Sequence, residues 1–324
     1  MAVRDLQDGA TITVTALVRE AELRRKRDGT EYLRLVLGDR TGTLAAVMWD
    51  GCREAAPTCR VGEPVHVSGV YSVHPRFGPQ LVAGEVRECL PGEVALGELV
   101  DGPVRSRDAL VADLRELIAT VREPPLRFLL EALLGQHSRT WPAYRDAPAA
   151  KHNHHAYPHG LLEHSLSVAQ TVSTIAATFP GIDRDIAVTG ALLHDIGKLD
   201  AYAAAGLAIE MTDAGKLQGE IALGYYAVRS AIDDIEGFPP DLAQAVLHVI
   251  LSHHGTLEHG SPVLPCTREA TLVHMIDNLG GKLGSFDRLE KELPQGSRWS
   301  AFDRALGGTA YFPRVDEGPA EAAA

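Results

Sequence analysis

Hydrophobic and polar residues alternate at a period of two through the first 90 residues of the chain. Five such segments lie between turn signals: TITVTALV, EYLRLVLGD, TGTLAAVMW, EPVHVSGVYSV and GPQLVAGEVREC. This alternation is typical of strands that bury one face, and Asp28-Gly29 and Asp39 to Gly42 supply residues that favour tight turns. The pattern therefore predicts a small five-stranded β-barrel.

The hydrophobic period changes at about Arg107. Leu110, Leu114 and Leu117 begin an apolar helical stripe that ends before Pro124-Pro125, and the chain beyond them reads as almost entirely α-helical. The predicted fold class is therefore a multidomain α and β protein, with an N-terminal barrel followed by an all-α domain. The predicted divisions are the barrel at 1–90, a linker with connecting helices at 91–140, the helical domain at 141–312 and a flexible tail at 313–324.

The strand order, with a helix or loop between the third and fourth strands at Gly51 to Cys59, fits an OB-fold, a barrel that commonly binds single-stranded nucleic acid. Its candidate binding residues are Arg24, Arg25, Lys26 and Arg27 in the loop between the first two strands, and the aromatic residues Tyr32, Trp49, Tyr71 and Phe77. A basic groove with stacking rings would hold single strands. From these residues alone, a solvated hairpin tip with core aromatics is an equal alternative.

Composition narrows the class of protein. The 324 residues carry a formal charge of −12, which is concentrated in the second part: residues 1–95 contain 12 basic and 13 acidic residues, and residues 96–324 contain 19 and 30. No apolar run is long enough to span a membrane and the first residues lack a signal-peptide pattern, so a cytoplasmic location without membrane contact is expected. The four cysteines have no C-x-x-C spacing and are expected to be reduced, buried thiols.

Histidines are the strongest chemical signal in the sequence. Twelve of the 14 lie after residue 130, most of them in four groups that contain HNHHAYPHGLLEH, ALLHDIGKL, LSHHG and HMIDN. These groups bring imidazoles and carboxylates from separate helical stretches. Such a set is what a metal site inside a helical bundle requires.

The helical positions of these residues point to one shared cation. His164 lies on the same face as Leu161 and Val168, so its ring is directed at the core, and Asp277 lies on an apolar stripe. His194 and Asp195 end an apolar helix, where two neighbouring side chains can reach the same ion. Isolated, each residue would be a hydrogen-bonded core residue, but three buried ionisable groups from three helices favour a metal site.

At these residues the sequence resembles a known family. The pattern of a histidine, a His-Asp pair and an aspartate is similar to that of the HD-superfamily metal-dependent phosphohydrolases. The whole chain resembles the YhaM-type 3′-to-5′ exoribonucleases, which place an OB-fold before an HD domain. The similar stretches are DRTGTLAAVMWD, APAAKHNHHAY, GLLEHSLSV, ALLHDIGK, LSHHG, HMIDNLGGK and WSAFDRALGG.

The resemblance implies a role for each matching residue. His164, His194, Asp195 and Asp277 would hold the principal ion, and His253 and His254 a second ion or the scissile phosphate. Lys198 would lie close to that phosphate, and His154 and His155 would contact substrate at the pocket entrance. Glu220 stands where the family has a histidine after GKLxG, and would be a ligand or a general base. Further departures at the pocket mouth are Gly280, Gly281 and His159, the last of which replaces an expected glycine.

The activity implied by the resemblance is metal-dependent 3′-to-5′ hydrolysis of single-stranded RNA to nucleoside 5′-monophosphates. The cofactor would be Mn²⁺, with Mg²⁺ as the alternative, in one or two copies; single-stranded DNA and a homo-oligomer stay open. Two other functions are considered. One is a phosphodiesterase for small nucleotides whose barrel is an interaction module, and the other is a single-strand-binding factor with a vestigial HD site.

Overall fold

The computed structural model describes residues 8–74, 78–90, 92–94, 96–100, 102–103, 105–150, 155–205, 208–293 and 297–313. Five strands near the N-terminus form a closed barrel in the order β1-β2-β3-β5-β4, which confirms the predicted OB-fold. Their bounds are β1 Thr11–Arg25, β2 Glu31–Asp39, β3 Gly42–Met48, β4 Pro64–His74 and β5 Gly78–Glu88. The predicted insert before β4 contains the single helical turn α1, Cys52–Ala55.

The barrel closes because β1 is long enough to serve two neighbours. Its first half, Thr11 to Leu17, pairs with β4, and its second half, Leu17 to Arg25, pairs with β2. The register shifts between Val18 and Glu20, and such a bulge bends a strand so that it can join both sides of a barrel. Alternate side chains of β1, including Ile12 and Val14, enter the barrel core.

The first hairpin differs from the sequence expectation. Arg24 and Arg25, predicted to lie in a loop, are the last residues of β1 and pair with Tyr32 and Glu31 of β2. Only Lys26 and Arg27 of the basic run lie in the turn. Here β1 and β2 extend beyond the barrel as a two-stranded ribbon. The end of β1 is exposed to solvent, so the strand continues without the alternation of apolar and polar residues that a buried face requires.

Beyond the barrel, the described residues are mainly helical. Residues Tyr202–Ala205 and Ala208–Met211 form a short antiparallel hairpin, β6 and β7, that the expectation of an almost entirely helical domain missed. The helices are α2 Leu96–Leu99, α3 Arg107–Ala119, α4 Pro124–Leu134, α5 Trp141–Asp146, α6 Gly160–Ala176, α7 Arg184–Leu193, α8 Lys198–Ala201, α9 Asp213–Gln218, α10 Glu220–Asp233, α11 Pro240–Ser252 and α12 Arg268–Lys291, with a 3₁₀ turn at Leu257–His259.

One hydrophobic core unites the helical part. Leucines of α3 and α4, which the sequence pattern assigned to the connecting region at 91–140, are buried in the same cluster as α6, α7 and α11. These two helices therefore help to form the core around the site. Within the described part of the chain, no helix has the length and apolar character needed to cross a membrane.

Polar contacts fix the ends of the helices that carry candidate ligands. Asp183 caps α7 by accepting hydrogen bonds from the backbone N–H groups of Asp185 and Ile186, and Thr267 caps α12 in the same manner. At the other end of α7, the buried Tyr144 hydroxyl donates to the carbonyl of Leu192 at 2.8 Å. This bond holds the last turn of α7, directly before His194.

The cysteines are all free, and the expectation that they are buried holds for two of them. Cys52 and Cys59 are buried, whereas Cys89 is partly exposed and Cys266 is exposed. The Cys266 thiol lies 3.2 Å from His248 Nε2, and the same nitrogen accepts a hydrogen bond from the Cys266 backbone N–H. His248 is thus a half-buried histidine with its own hydrogen-bond partner.

The crossing of α7 and α11 provides a test of packing. A Cβ atom added at Gly190 would lie 2.7 Å from Val249 Cγ1, so we expect Gly190→Ala to lower the free energy of unfolding by about 1–3 kcal/mol. The matched control is Gly280→Ala in α12, where an added Cβ meets nothing within 4 Å and alanine favours the helix. Denaturant unfolding of both variants checks this, and an equally stable Gly190→Ala protein would contradict the close approach.

Candidate metal centre and nucleic-acid interface

Three helices bring four predicted ligands to one point. His164 comes from the second turn of α6, His194 and Asp195 follow the end of α7, and Asp277 lies in the middle of α12. His164 Nε2 lies 3.2 Å from His194 Nε2, 3.3 Å from Asp195 Oδ2 and 3.1 Å from Asp277 Oδ1. We name these four residues the HD cluster.

Hydrogen bonds to the backbone decide which nitrogen of His194 faces the cluster. Its Nδ1 donates to the carbonyl of Ala191 at 2.7 Å, so Nε2 carries the lone pair. That lone pair faces His164 Nε2 and two carboxylates, all within 3.8 Å. Acceptors this close repel one another unless a proton or a metal ion lies among them, and therefore the residues present fit a cation.

A second group of donors adjoins the HD cluster. Glu220 begins α10, and His253 and His254 follow the end of α11; their ligand atoms all lie within 4.8 Å of one another. His254 Nε2 lies 3.2 Å from Glu220 Oε1, and His253 Nε2 lies 3.6 Å from Asp195 Oδ1. We name Glu220, His253 and His254 the second cluster.

The second cluster also fits a cation. Both of its histidines donate Nδ1–H to backbone carbonyls, His253 to Ile250 and His254 to His259, which leaves both Nε2 atoms as acceptors. The His253 Nε2 atom is fully buried and has no hydrogen-bond partner among the described residues. An unpaired buried acceptor costs free energy that a bound cation would recover. Glu220 keeps an oxygen ligand at the position where the family resemblance led us to expect histidine.

Lys198 is turned towards the HD cluster. Its Nζ lies 2.6 Å from Asp195 Oδ2, and the side chain is largely buried at the start of α8. Burial disfavours the charged forms of both partners, but the positive charge of Lys198 and the neighbouring histidines outweigh it and hold the pKa of Asp195 well below its usual range. The lysine is therefore a fixed positive charge at the edge of the cluster.

His164 has a strongly altered pKa. Burial disfavours its imidazolium form, but hydrogen bonds and charge attraction from Asp195 and Asp277 outweigh burial and raise the pKa of His164 to about 9. At neutral pH a proton thus occupies this imidazole until a metal ion replaces it.

Two close backbone approaches, which the sequence pattern did not single out, hold the clusters together. A side chain at Gly197 would collide with the Glu220 carbonyl and the Gly224 backbone, so this glycine lets α10 approach the His-Asp turn. The His274 ring packs on Gly255 in the same manner, and its Nδ1 donates to the His253 carbonyl at 2.8 Å. The HDxG and HHG spacings carry this signal, because glycine permits such contacts.

The entrance residues lie before α6. The buried His155 ring lies 5.6 Å from the His164 ring, whereas His154 falls outside the described residues. His159 has a φ of 69°, a left-handed conformation that costs a histidine more than a glycine, which explains why glycine is expected there. Its Nδ1 donates to the Arg145 carbonyl at 2.8 Å.

On the barrel, the predicted nucleic-acid residues separate into two groups. Lys26 lies 4.2 Å above the Trp49 ring, and the Tyr32 ring lies 5.0 Å from the same ring. Trp49 is 41% exposed, so this cluster presents an accessible aromatic face. By contrast, Arg24 pairs with Glu22 at 2.7 Å and Arg25 with Glu31 at 3.1 Å, so their charges are partly neutralised. Phe77 lies outside the described residues.

Comparison with known proteins agrees with this architecture. Residues 161–281 match the family described as "HD domain", and residues 5–88 match "OB-fold nucleic acid binding domain". The chain therefore joins an OB-fold domain to an HD domain. It is 28% identical over 315 residues to the 3′-5′ exoribonuclease YhaM of Halalkalibacterium halodurans, covering 97% of this chain and 96% of that protein, which confirms the resemblance.

Two solved structures have a weak likeness to the chain. The second OB-fold domain of replication protein A from Methanococcus maripaludis is 21% identical, with a TM-score of 0.24, and covers 30% of this chain and 97% of that one. A small single-stranded DNA-binding protein from Streptomyces coelicolor is 16% identical, with a TM-score of 0.23, covering 28% and 100%. Likenesses this weak identify no function.

The raised pKa of His164 predicts that metal binding releases a proton. Because the imidazole is protonated below about pH 9, Mn²⁺ binding at neutral pH should displace about one proton, and its affinity should rise about tenfold per pH unit up to that pH. Calorimetric titration in buffers of different ionisation enthalpy measures the number released. The His248→Ala protein, altered outside both clusters, is the control. Metal binding without proton release would contradict the assignment.

Proposed function

We propose that the protein is a metal-dependent 3′-to-5′ exoribonuclease that hydrolyses single-stranded RNA to nucleoside 5′-monophosphates. The observation that carries the proposal is the close contact between the HD cluster and the second cluster at Asp195 and His253. The hydrogen-bond acceptors of the two clusters face one another, and positive charge between them would stabilise this arrangement. Similarity to an exoribonuclease along nearly the whole chain supports the polymer substrate and the direction.

In this proposal His164, His194, Asp195 and Asp277 hold the principal ion, and His253, His254 and Glu220 hold a second. Their mixture of imidazole nitrogen and carboxylate oxygen suits Mn²⁺, with Mg²⁺ as the alternative. A divalent ion bound there supplies Lewis-acid stabilisation of phosphate charge and lowers the pKa of water.

The chain's own residues supply the remaining chemistry. Lys198 is proposed as a catalytic residue whose ammonium group offsets negative charge that develops on the phosphate. Glu220, if the second ion leaves an oxygen free, accepts a proton as general base. His154 and His155 are proposed to contact the terminal nucleotide, since His155 lies beside His164 at the start of α6.

The barrel is proposed to bind the RNA strand. Lys26, Arg27, Trp49 and Tyr32 join cationic groups to exposed rings, which is the combination that single strands require. The acidic charge of the helical part does not prevent this, because exposed charges farther apart than about 8 Å are largely screened at physiological salt. Binding of DNA in place of RNA and assembly into a homo-oligomer stay alternatives. The proposed location is cytoplasmic.

A binding factor with a vestigial site is the second candidate. The observation against it is the complete donor set, in which no ligand position holds an apolar residue. A phosphodiesterase for small nucleotides predicts unaltered turnover when the barrel cannot bind.

The deciding experiment is incubation of 5′-labelled single-stranded RNA with the protein and Mn²⁺, Mg²⁺ or chelator, followed by separation on a sequencing gel. The proposal expects a ladder that shortens from the 3′ end only with metal. An intact but gel-shifted RNA would favour the binding factor. Matched single-stranded DNA measures the preference for RNA.

We expect Asp195→Ala to abolish hydrolysis and to leave RNA affinity within about twofold of wild type, because it removes a ligand shared by both clusters and leaves the barrel intact. Asp200→Ala, which removes an exposed carboxylate nearby, is the matched control and should retain activity. Gel-based turnover and fluorescence anisotropy measure the two properties. Undiminished hydrolysis by Asp195→Ala would refute the metal assignment.

The double substitution Lys26→Glu with Arg27→Glu should weaken RNA binding and flatten its salt dependence, by about 0.7 in the slope of log K against log salt for each phosphate that is no longer neutralised. The control is Arg40→Glu with Arg60→Glu, which changes the net charge by the same amount. Arg40 lies in the turn at the other end of β2, away from the first hairpin, so this pair should leave the salt slope unchanged. Equal slopes for all three proteins would remove the first hairpin from the RNA path.

A further inference from the structure

The segment at residues 297–313, which follows α12, folds back on itself as an irregular hairpin. Trp299 and Tyr311 form an antiparallel bridge, and backbone hydrogen bonds join Phe312 N–H to the Arg298 carbonyl and Ser300 N–H to the Ala310 carbonyl. The buried Ser300 and Ala310 form its inner side. The hairpin therefore has a defined outer face.

That outer face is aromatic. Trp299 is 57% exposed and Tyr311 is 42% exposed, and their ring centroids lie 5.0 Å apart. The Arg298 guanidinium lies 4.9 Å from the centre of the Tyr311 ring. We name Arg298, Trp299 and Tyr311 the aromatic platform. Exposed aromatic rings that lie side by side indicate a binding surface more often than single exposed apolar residues do.

The aromatic platform has a counterpart in the same chain. On the barrel, Trp49 and Tyr32 also lie 5.0 Å apart, and a cation, Lys26, also lies over one ring. The remaining tryptophan, Trp141, is buried in the helical core. Both exposed tryptophans of the protein thus occur in the same arrangement of two tilted rings and one cation.

The platform is attached to the helix that carries a candidate metal ligand. Arg288 of α12 hydrogen-bonds Asp303 of the hairpin, and the Phe286 and Phe312 rings lie 6.3 Å apart. Along α12, Arg288 is eleven residues beyond Asp277, which corresponds to about 16 Å. An RNA strand with its end at the HD cluster is therefore within reach of the platform.

Local charge favours a polyanion here, although the helical part is acidic overall. Between residues 297 and 313 the charged residues are Arg298, Asp303 and Arg304, and Asp303 is paired with Arg288. The exposed Arg298 guanidinium thus lies beside the Tyr311 ring, and Arg304 is a second exposed cation of the same hairpin.

We infer that the aromatic platform is a second nucleobase-stacking site, which holds single-stranded RNA a few nucleotides from the end that enters the HD cluster. The inference rests on the proposed function for its substrate class. Bases stack on Trp299 and Tyr311, and Arg298 contacts the adjoining phosphate. Because the rings are neutral, they contribute affinity that is insensitive to salt, in contrast to Lys26 and Arg27 on the barrel.

Intrinsic fluorescence tests binding independently of hydrolysis. In the Trp49→Phe protein, Trp299 is the exposed emitter and Trp141 the buried one. Titration with an oligouridylate in chelator should quench emission, and the additional change Trp299→Phe should abolish that quenching. Absence of quenching in the Trp49→Phe protein would overturn the inference, whatever the enzyme does.

Kinetics test the contribution to substrate use. Trp299→Ala should raise the KM for a long oligonucleotide about tenfold, equivalent to about 1.4 kcal/mol, without altering kcat on a dinucleotide or the salt slope. Trp299→Phe should restore most of the loss. Phe302→Ala is the matched control, because Phe302 is 67% exposed in the same hairpin and has no neighbouring ring among the described residues.

The possible results separate the two proposals. If wild type shortens RNA but Trp299→Ala is unaffected, or affected no more than Phe302→Ala, the platform is refuted and the proposed function stands. If wild type does not shorten RNA but Trp299 is quenched, the proposed function fails and the platform stands. A change of molecular mass in Trp299→Ala, with unchanged RNA affinity, would place the rings at a contact between copies and refute the inference.

Discussion

The arrangement of the helical part depends on one electrostatic requirement, the concentration of acceptor atoms at the ends of α7 and α11. The Nε2 lone pairs of His194 and His253 both face the Asp195 carboxylate, deep in an apolar core. Such a group is stable only with positive charge, which Lys198 supplies in part and a proton or metal ion must complete. The caps on α7 and α12, the Tyr144 hydrogen bond and the glycine contacts all hold the acceptors in place against their mutual repulsion.

Much of this could be predicted from the sequence, because the relevant signals are local. Alternation along the strands predicted the barrel, and the position of His164 on an apolar helical face indicated that its ring is buried. Other features depend on long-range contacts that no local pattern records. The continuation of β1 through Arg24 and Arg25 depends on pairing with β2, and the nearness of Glu220 to His254 depends on the backbone approach of Gly197 to α10. The β6–β7 hairpin is too short to leave a clear period in the sequence.

The two ends of the proposed RNA path would use different physical interactions. The barrel combines surface cations with rings, whereas the acidic helical part has exposed rings beside the Arg298 guanidinium. Long-range attraction would thus be provided mainly by one domain, and short-range stacking by both. A division of this type would let the strand approach quickly and still move forward after each cleavage, since no single contact would hold it strongly.

The backbone bonds of the histidines have a consequence for metal exchange. His194, His253 and His254 each donate their Nδ1 proton to a nearby carbonyl, so their rings are oriented before any ion arrives. Little side-chain entropy is then lost when an ion enters, and little structure must be rebuilt when it leaves. The centre should therefore exchange ions of similar size without partial unfolding. The concentrations of those ions in the cell would then decide which one is bound.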